Sequence, residues 1–165
     1  MEQLYPPLPP LPTGPDACSA SVRSVHRRGF YDEFPDVAHS PAIMAQFLRL
    51  VEEAGELIEA SPTMKTDRIA DESADVVVAD AQMAWLYDME LDALLQPQEC
   101  KQATSLLALL GRLARAMRKD AGVEEQIGQI ANHVRMTAGI QGIDIQSAML
   151  EKLAADEQRG VRHGE

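Results

Sequence analysis

The chain has 165 residues, 45% of them apolar but only 4% aromatic, and a formal net charge of −11. That length suits one domain with a proper core, and the many Ala, Leu, Glu and Gln with eight Met favour helices over sheets. The negative charge disfavours nonspecific binding to nucleic acid or anionic membranes, and no apolar run approaches the ~18–20 residues of a membrane helix.

Residues 1–17 carry Pro6, Pro7, Pro9, Pro10, Pro12 and Pro15 and read as a flexible, polyproline-like arm. The opening Met-Glu-Gln followed by prolines does not read as a signal peptide. Cys18 and Cys100 fit no metal or redox spacing and read as reduced thiols, so a cytoplasmic protein is expected. Residues 18–165 are expected to form a single all-α domain, a bundle of about five helices. Residues 18–39 read as a short helix and then a loop around Arg28-Gly29-Phe30-Tyr31-Asp32.

The first strong helix is predicted from about Pro41 to Ala60, with Ser40 as N-cap and Ser61-Pro62 as its stop. Its apolar stripe is Ile43, Phe47, Leu50, Val51, Ala54, Leu57 and Ile58. Glu52, Glu56 and Glu59 fall on the opposite side, with Glu53 at the boundary. A second helix, about Asp67 to Asp88, is apolar nearly all round and should be buried. Further helices are predicted over about Pro97 to Lys119, Val123 to Gly139 and Ile143 to Arg159. The third carries Arg112, Arg115 and Arg118, which read as a solvated face or subunit contact. Gln129-Ile130-Ala131-Asn132 faintly echoes Glu72-Ser73-Ala74-Asp75; a degenerate repeat and coincidence explain it equally well.

Two acidic pairs are the chemically informative feature. Glu53 with Glu56, and Glu72 with Asp75, are each three residues apart, so each pair presents two carboxylates on nearly one helix face. Packed face to face, the two helices would aim four carboxylates at one point. At an effective dielectric of about 20, each unscreened pair of like charges ~4 Å apart costs roughly 4 kcal/mol. A hard divalent cation with oxygen ligands resolves that repulsion, and Mg²⁺ commonly bridges such ligands to substrate phosphates. The second pair shares its helix face with Ala79, Met83 and Leu86, which weighs against a merely solvated face.

Glu52-Glu53-x-x-Glu56, then fifteen residues, then Glu72-x-x-Asp75 resembles the motif pair of the MazG-like nucleoside triphosphate pyrophosphohydrolases. Arg28-Gly29-Phe30-Tyr31-Asp32 is similar to the Gly-aromatic segment that precedes these helices in phage-type members. Lys152 to Gly160, followed by His163-Gly164, resembles the family's Lys-x-x-x-Asn-x-x-Arg segment and its ending, with Asp156 standing where the family usually has Asn. The likeness covers roughly residues 26–90 and 140–164 and leaves 91–139 unassigned.

The resemblance implies an all-α fold and metal-dependent hydrolysis of a (d)NTP to the monophosphate and pyrophosphate. Glu53, Glu56, Glu72 and Asp75 would ligate Mg²⁺ or Mn²⁺, more than one ion per site. Glu52, Glu53 and Glu56 would form the catalytic acids, Glu52 as an extra ligand or by orienting the attacking water. Lys152, Arg159, Asp156, Arg28 and Phe30 would face the substrate. The phage-like segments make a purine deoxynucleotide such as dGTP the expected substrate, in a host cytoplasm if phage-encoded. Long apolar faces on short helices suggest assembly, and the family implies a homo-oligomer, a dimer or a tetramer built from dimers; the charge and hydropathy leave no nucleic-acid or membrane partner expected.

Several of these residues have plainer readings. Lys152 and Arg159 also suit a helix C-terminus; Phe30, Tyr31 and Trp85 also suit a core, and His163 a surface. Two other function classes compete. A di-iron carboxylate bundle needs Glu-x-x-His, and none of His26, His39, His133 or His163 follows a Glu at that spacing. A non-enzymatic helical interaction module, an inactive family member, is the remaining alternative.

Overall fold

The computed structural model describes residues 8–32, 39–96 and 104–159; Cys100 and His163 lie outside them. The described part is all-α with six helices. These are α1 (Ala17–Arg27), α2 (His39–Ala60), α3 (Thr66–Leu86), α4 (Leu106–Lys119), α5 (Val123–Ile140) and α6 (Ile145–Arg159). Besides the five longer helices, α1 is the short helix expected near the start of residues 18–39, eleven residues long. Asp16 starts it by accepting hydrogen bonds from the Ser19 amide at 2.8 Å and the Ser19 hydroxyl at 2.6 Å.

The helix ends follow local chemistry. After α2, Ser61-Pro62 forms a short 3₁₀ turn and Met64 takes a left-handed conformation. The predicted helix from Pro97 instead begins at Leu106, because the Ser105 hydroxyl accepts from the Ala108 amide at 3.3 Å. Residues 97–103 lie outside the described residues. The last helix starts at Ile145, not Ile143, because Asp144 accepts from the Gln146 amide and the Ser147 hydroxyl at 3.2 and 2.8 Å. Gly122 and Gly142 both adopt positive φ at the turns flanking α5.

The core is built around α3, against which α1, α2, α5 and α6 all pack. From Ser73 to Leu86 every residue of α3 is buried, as its all-round apolar sequence predicts. Buried polar groups are threaded through this core. Gln46 donates to the Ala79 carbonyl at 3.0 Å, and Tyr31 donates to Gln82 at 3.3 Å. Asp80 is fully buried. Burial pushes its carboxyl well above the ordinary carboxylate range, against a weaker opposing pull from the Ala131 amide.

Within the proline-rich arm, residues 8–16 lie against the chain's own helices. Trp85 donates its indole N–H to the Pro10 carbonyl at 2.9 Å. Arg23 donates to the Pro12 and Gly14 carbonyls at 3.0 and 2.7 Å. Trp85 is buried, with its ring edge-on to Tyr31 at 5.1 Å, so it is a core residue. Among the described residues, no helix is long and apolar enough to cross a membrane.

Candidate metal centre

α2 and α3 are joined by the short Ser61–Lys65 turn and pack along their length, which brings the two acidic motifs together. Carboxylate oxygens of Glu53, Glu56 and Glu72 lie within 4.8 Å of one another. Glu53 and Glu72 are half-buried, while Glu56 is exposed. Asp75, the fourth acid of the expected set, is buried beside them but engaged: the Lys152 ammonium lies 2.7 Å from its Oδ2. Lys152 also lies 3.0 Å from Asp71 Oδ1. Glu52 is on the exposed side of α2, close enough to act on Glu53 through space.

The electrostatics of the cluster are unbalanced. Burial pushes the Glu53 carboxyl up to about 7, reinforced by Asp75, Glu56 and Glu52 and opposed by Arg49. Glu72 is raised as well, by burial and then by Glu56 and Asp75. Asp75 is raised by burial in spite of Lys152. Burial works to lower the Lys152 pKa, but its bonds to Asp75 and Asp71 outweigh that and hold the ammonium charged. Three cations serve six carboxylates here: Arg49 lies 3.3 Å from Glu53, Arg68 lies 3.5 Å from Glu72, and Lys152 bridges Asp75 and Asp71. Glu56 and Glu52 are the acids left over.

The donor set fits a hard divalent cation. Every donor is a carboxylate oxygen, the ligand type Mg²⁺, Mn²⁺ and Ca²⁺ prefer. The local excess of negative charge is of the sign and size such an ion neutralises. A carboxyl poised near neutrality surrenders its proton readily when a cation arrives.

The expected substrate residues fall in three places. Lys152 sits at the acids, as described. Asp156, Arg28 and Arg159 form a neighbouring network, in which Arg28 donates to Asp156 Oδ2 at 2.8 Å and Arg159 lies 3.5 Å from Oδ1. Asp156 therefore joins the end of α1 to α6 as an ion-pair partner, a role open to a carboxylate. Arg27 and Glu157 make a second α1–α6 pair. Phe30 packs edge-on to Tyr31 at 4.9 Å, with the Arg49 guanidinium 5.6 Å above its ring. Arg49 thus links it to the acid cluster.

Arg49, Arg68 and Asp71 were not anticipated from the sequence. The first two stand four residues before Glu53 and Glu72, a spacing that places charges side by side on a helix and could have revealed them. No family profile, curated protein or solved structure matches this chain.

Proposed function

We propose that this chain is a metal-dependent nucleoside triphosphate pyrophosphohydrolase of the MazG-like type, releasing pyrophosphate and a nucleoside monophosphate. The observation that carries the reading is the convergence of Glu53, Glu56 and Glu72 to within 4.8 Å from two different helices. These three would hold Mg²⁺ or Mn²⁺, with Asp75 behind them. When bound, such an ion neutralises phosphate charge and lowers the pKa of a coordinated water. The chain's own groups supply the rest. Glu52, exposed beside the cluster, would orient the attacking water or add a ligand. Lys152 sits at the acids on Asp75, and its charge suits a phosphate oxygen. Arg28 and Arg159, gathered by Asp156, extend positive charge along the α1–α6 edge.

A purine deoxynucleotide such as dGTP is the proposed substrate and a homo-oligomer the proposed working form. Pyrophosphate release from a panel of NTPs and dNTPs, with Mg²⁺ or Mn²⁺, tests the activity. The expected result is release from a few purine deoxynucleotides, lost in Glu56→Gln. Much faster turnover of pyrimidines would sink the base assignment alone. No release from any nucleotide with either metal would sink the enzyme and favour a non-enzymatic interaction module.

A further inference from the structure

The helix that carries three of the acids also leaves an apolar stripe uncovered. In the single chain Met44, Leu48, Val51 and Ile58 of α2 are 52%, 60%, 40% and 44% exposed. With Gly55 they follow one another at steps of four, three, four and three residues. That is the seam spacing of helices that pair side by side. The core-facing positions of α2 are different residues: Ala42, Gln46, Leu50, Ala54 and Leu57. Among the described residues, the stripe is therefore a second face that the packing does not use.

Gly55 points the same way. A Cβ placed on it would meet nothing within 4 Å in the single chain. The fold of one copy gives no steric reason for glycine there, and glycine weakens a helix interior. Close approach of another backbone supplies a reason.

Charge then selects the orientation. Residues 40–48 of α2 contain no charged side chain, whereas residues 49–60 contain Arg49, Glu52, Glu53, Glu56 and Glu59. A parallel second copy would set Glu52, Glu56 and Glu59 against themselves. An antiparallel copy centred at Val51 sets Glu56 and Glu59 against an uncharged half whose helix N-terminus carries partial positive charge. A two-fold axis at Val51 also places Met44 opposite Ile58 of the other copy, and Leu48 opposite Gly55, large against small.

We infer that two copies of this chain pair antiparallel along α2, about an axis at Val51. The inference rests on the homo-oligomer reading above and not on the catalytic one. It places an acid cluster on either flank of one shared seam.

Light scattering and cysteine cross-linking test it on the full chain. Wild type is expected to run as a dimer or tetramer. Leu48→Lys with Val51→Lys should weaken the pairing roughly 100-fold or more and at least halve the mass at micromolar concentration, with helical circular dichroism unchanged because both sites are exposed. In a Cys100→Ser background, Val51→Cys alone should oxidise to a covalent dimer. Met44→Cys with Ile58→Cys should do so too, while either single variant should not. The two positions lie about 21 Å apart on one helix, too far to join within a chain. A monomeric wild type would overturn both this pairing and the homo-oligomer reading. An oligomer unaffected by the two lysines, or cross-linked through Met44→Cys alone, would overturn the antiparallel α2 seam and leave that reading standing.

Discussion

The α2–α3 and α4–α5 pairs are both helix hairpins stacked on the same core, and they treat polar groups in opposite ways. On α4, Leu106, Leu109, Leu110 and Leu113 face inward, while Arg112, Arg115 and Arg118 stand in solvent. On α5, the buried Asn132 is neutral and accepts from Arg135 at 2.8 Å. On α2 and α3, half-buried carboxylates face one another with too few cations among them. The fold can therefore stack a helix pair without crowded acids. The crowding in α2–α3 is an added feature that works against stability, and a bound cation would give it a purpose.

The largest effect that would sharpen this contrast is on activity. Glu72→Gln should lower pyrophosphate release at least ~100-fold, since even outer-shell partners of metal ligands are worth 10–100-fold. Its melting temperature without metal should be unchanged or higher, because Glu72 is disfavoured in its charged form. A melting temperature clearly below wild type would make the acid structural. In the other hairpin the expectation is reversed. Leu113 is fully buried, so Leu113→Ala should lose about 2–5 kcal/mol in urea unfolding while activity per folded molecule stays intact.

Asp80 separates burial of an acid from metal binding. Its carboxyl keeps a proton in the native state at pH values where the unfolded chain, with a pKa of about 3.9, has lost it. The unfolded state then binds fewer protons, so stability falls as pH rises above that value, by about 1.4 kcal/mol per unit until the native carboxyl ionises. Asp80→Asn removes this dependence. Its melting advantage over wild type should widen from pH 5 to pH 7; a constant gap would mean that Asp80 ionises normally in the fold. The smallest effect is expected at Arg115→Ala, within about 0.5 kcal/mol of wild type in urea and with full activity.

Much of the architecture was legible in the sequence. The acid spacing and the short turn that ends α2 together brought Glu53, Glu56 and Glu72 to one place, and the all-round apolar run announced the central helix. What escaped was tertiary or masked by composition. The run from Val76 to Leu86 hid Asp80 and Gln82, whose burial depends on α1 and α5 rather than on α3 alone. The starts of α4 and α6 were missed because Ser105 and Asp144, their caps, sit inside sequence that continues to look helical. Asp75 reads as a free ligand until α6 brings Lys152 against it. Trp85 and Arg23 gave no sign that their hydrogen bonds would hold residues of the proline-rich arm.

The central claim is that the acids of α2 and α3 hold a divalent cation. Thermal melting of wild type and Glu53→Gln, with and without millimolar Mg²⁺ or Mn²⁺ and a nucleoside triphosphate, tests it most directly. A site that binds only the native state stabilises it by RT ln(1 + [L]/Kd). The account predicts that metal raises the wild-type melting temperature, further with nucleotide, and that most of the rise is lost in the variant. Wild type melting at one temperature under all these conditions would contradict it and return the acids to the status of solvated charge.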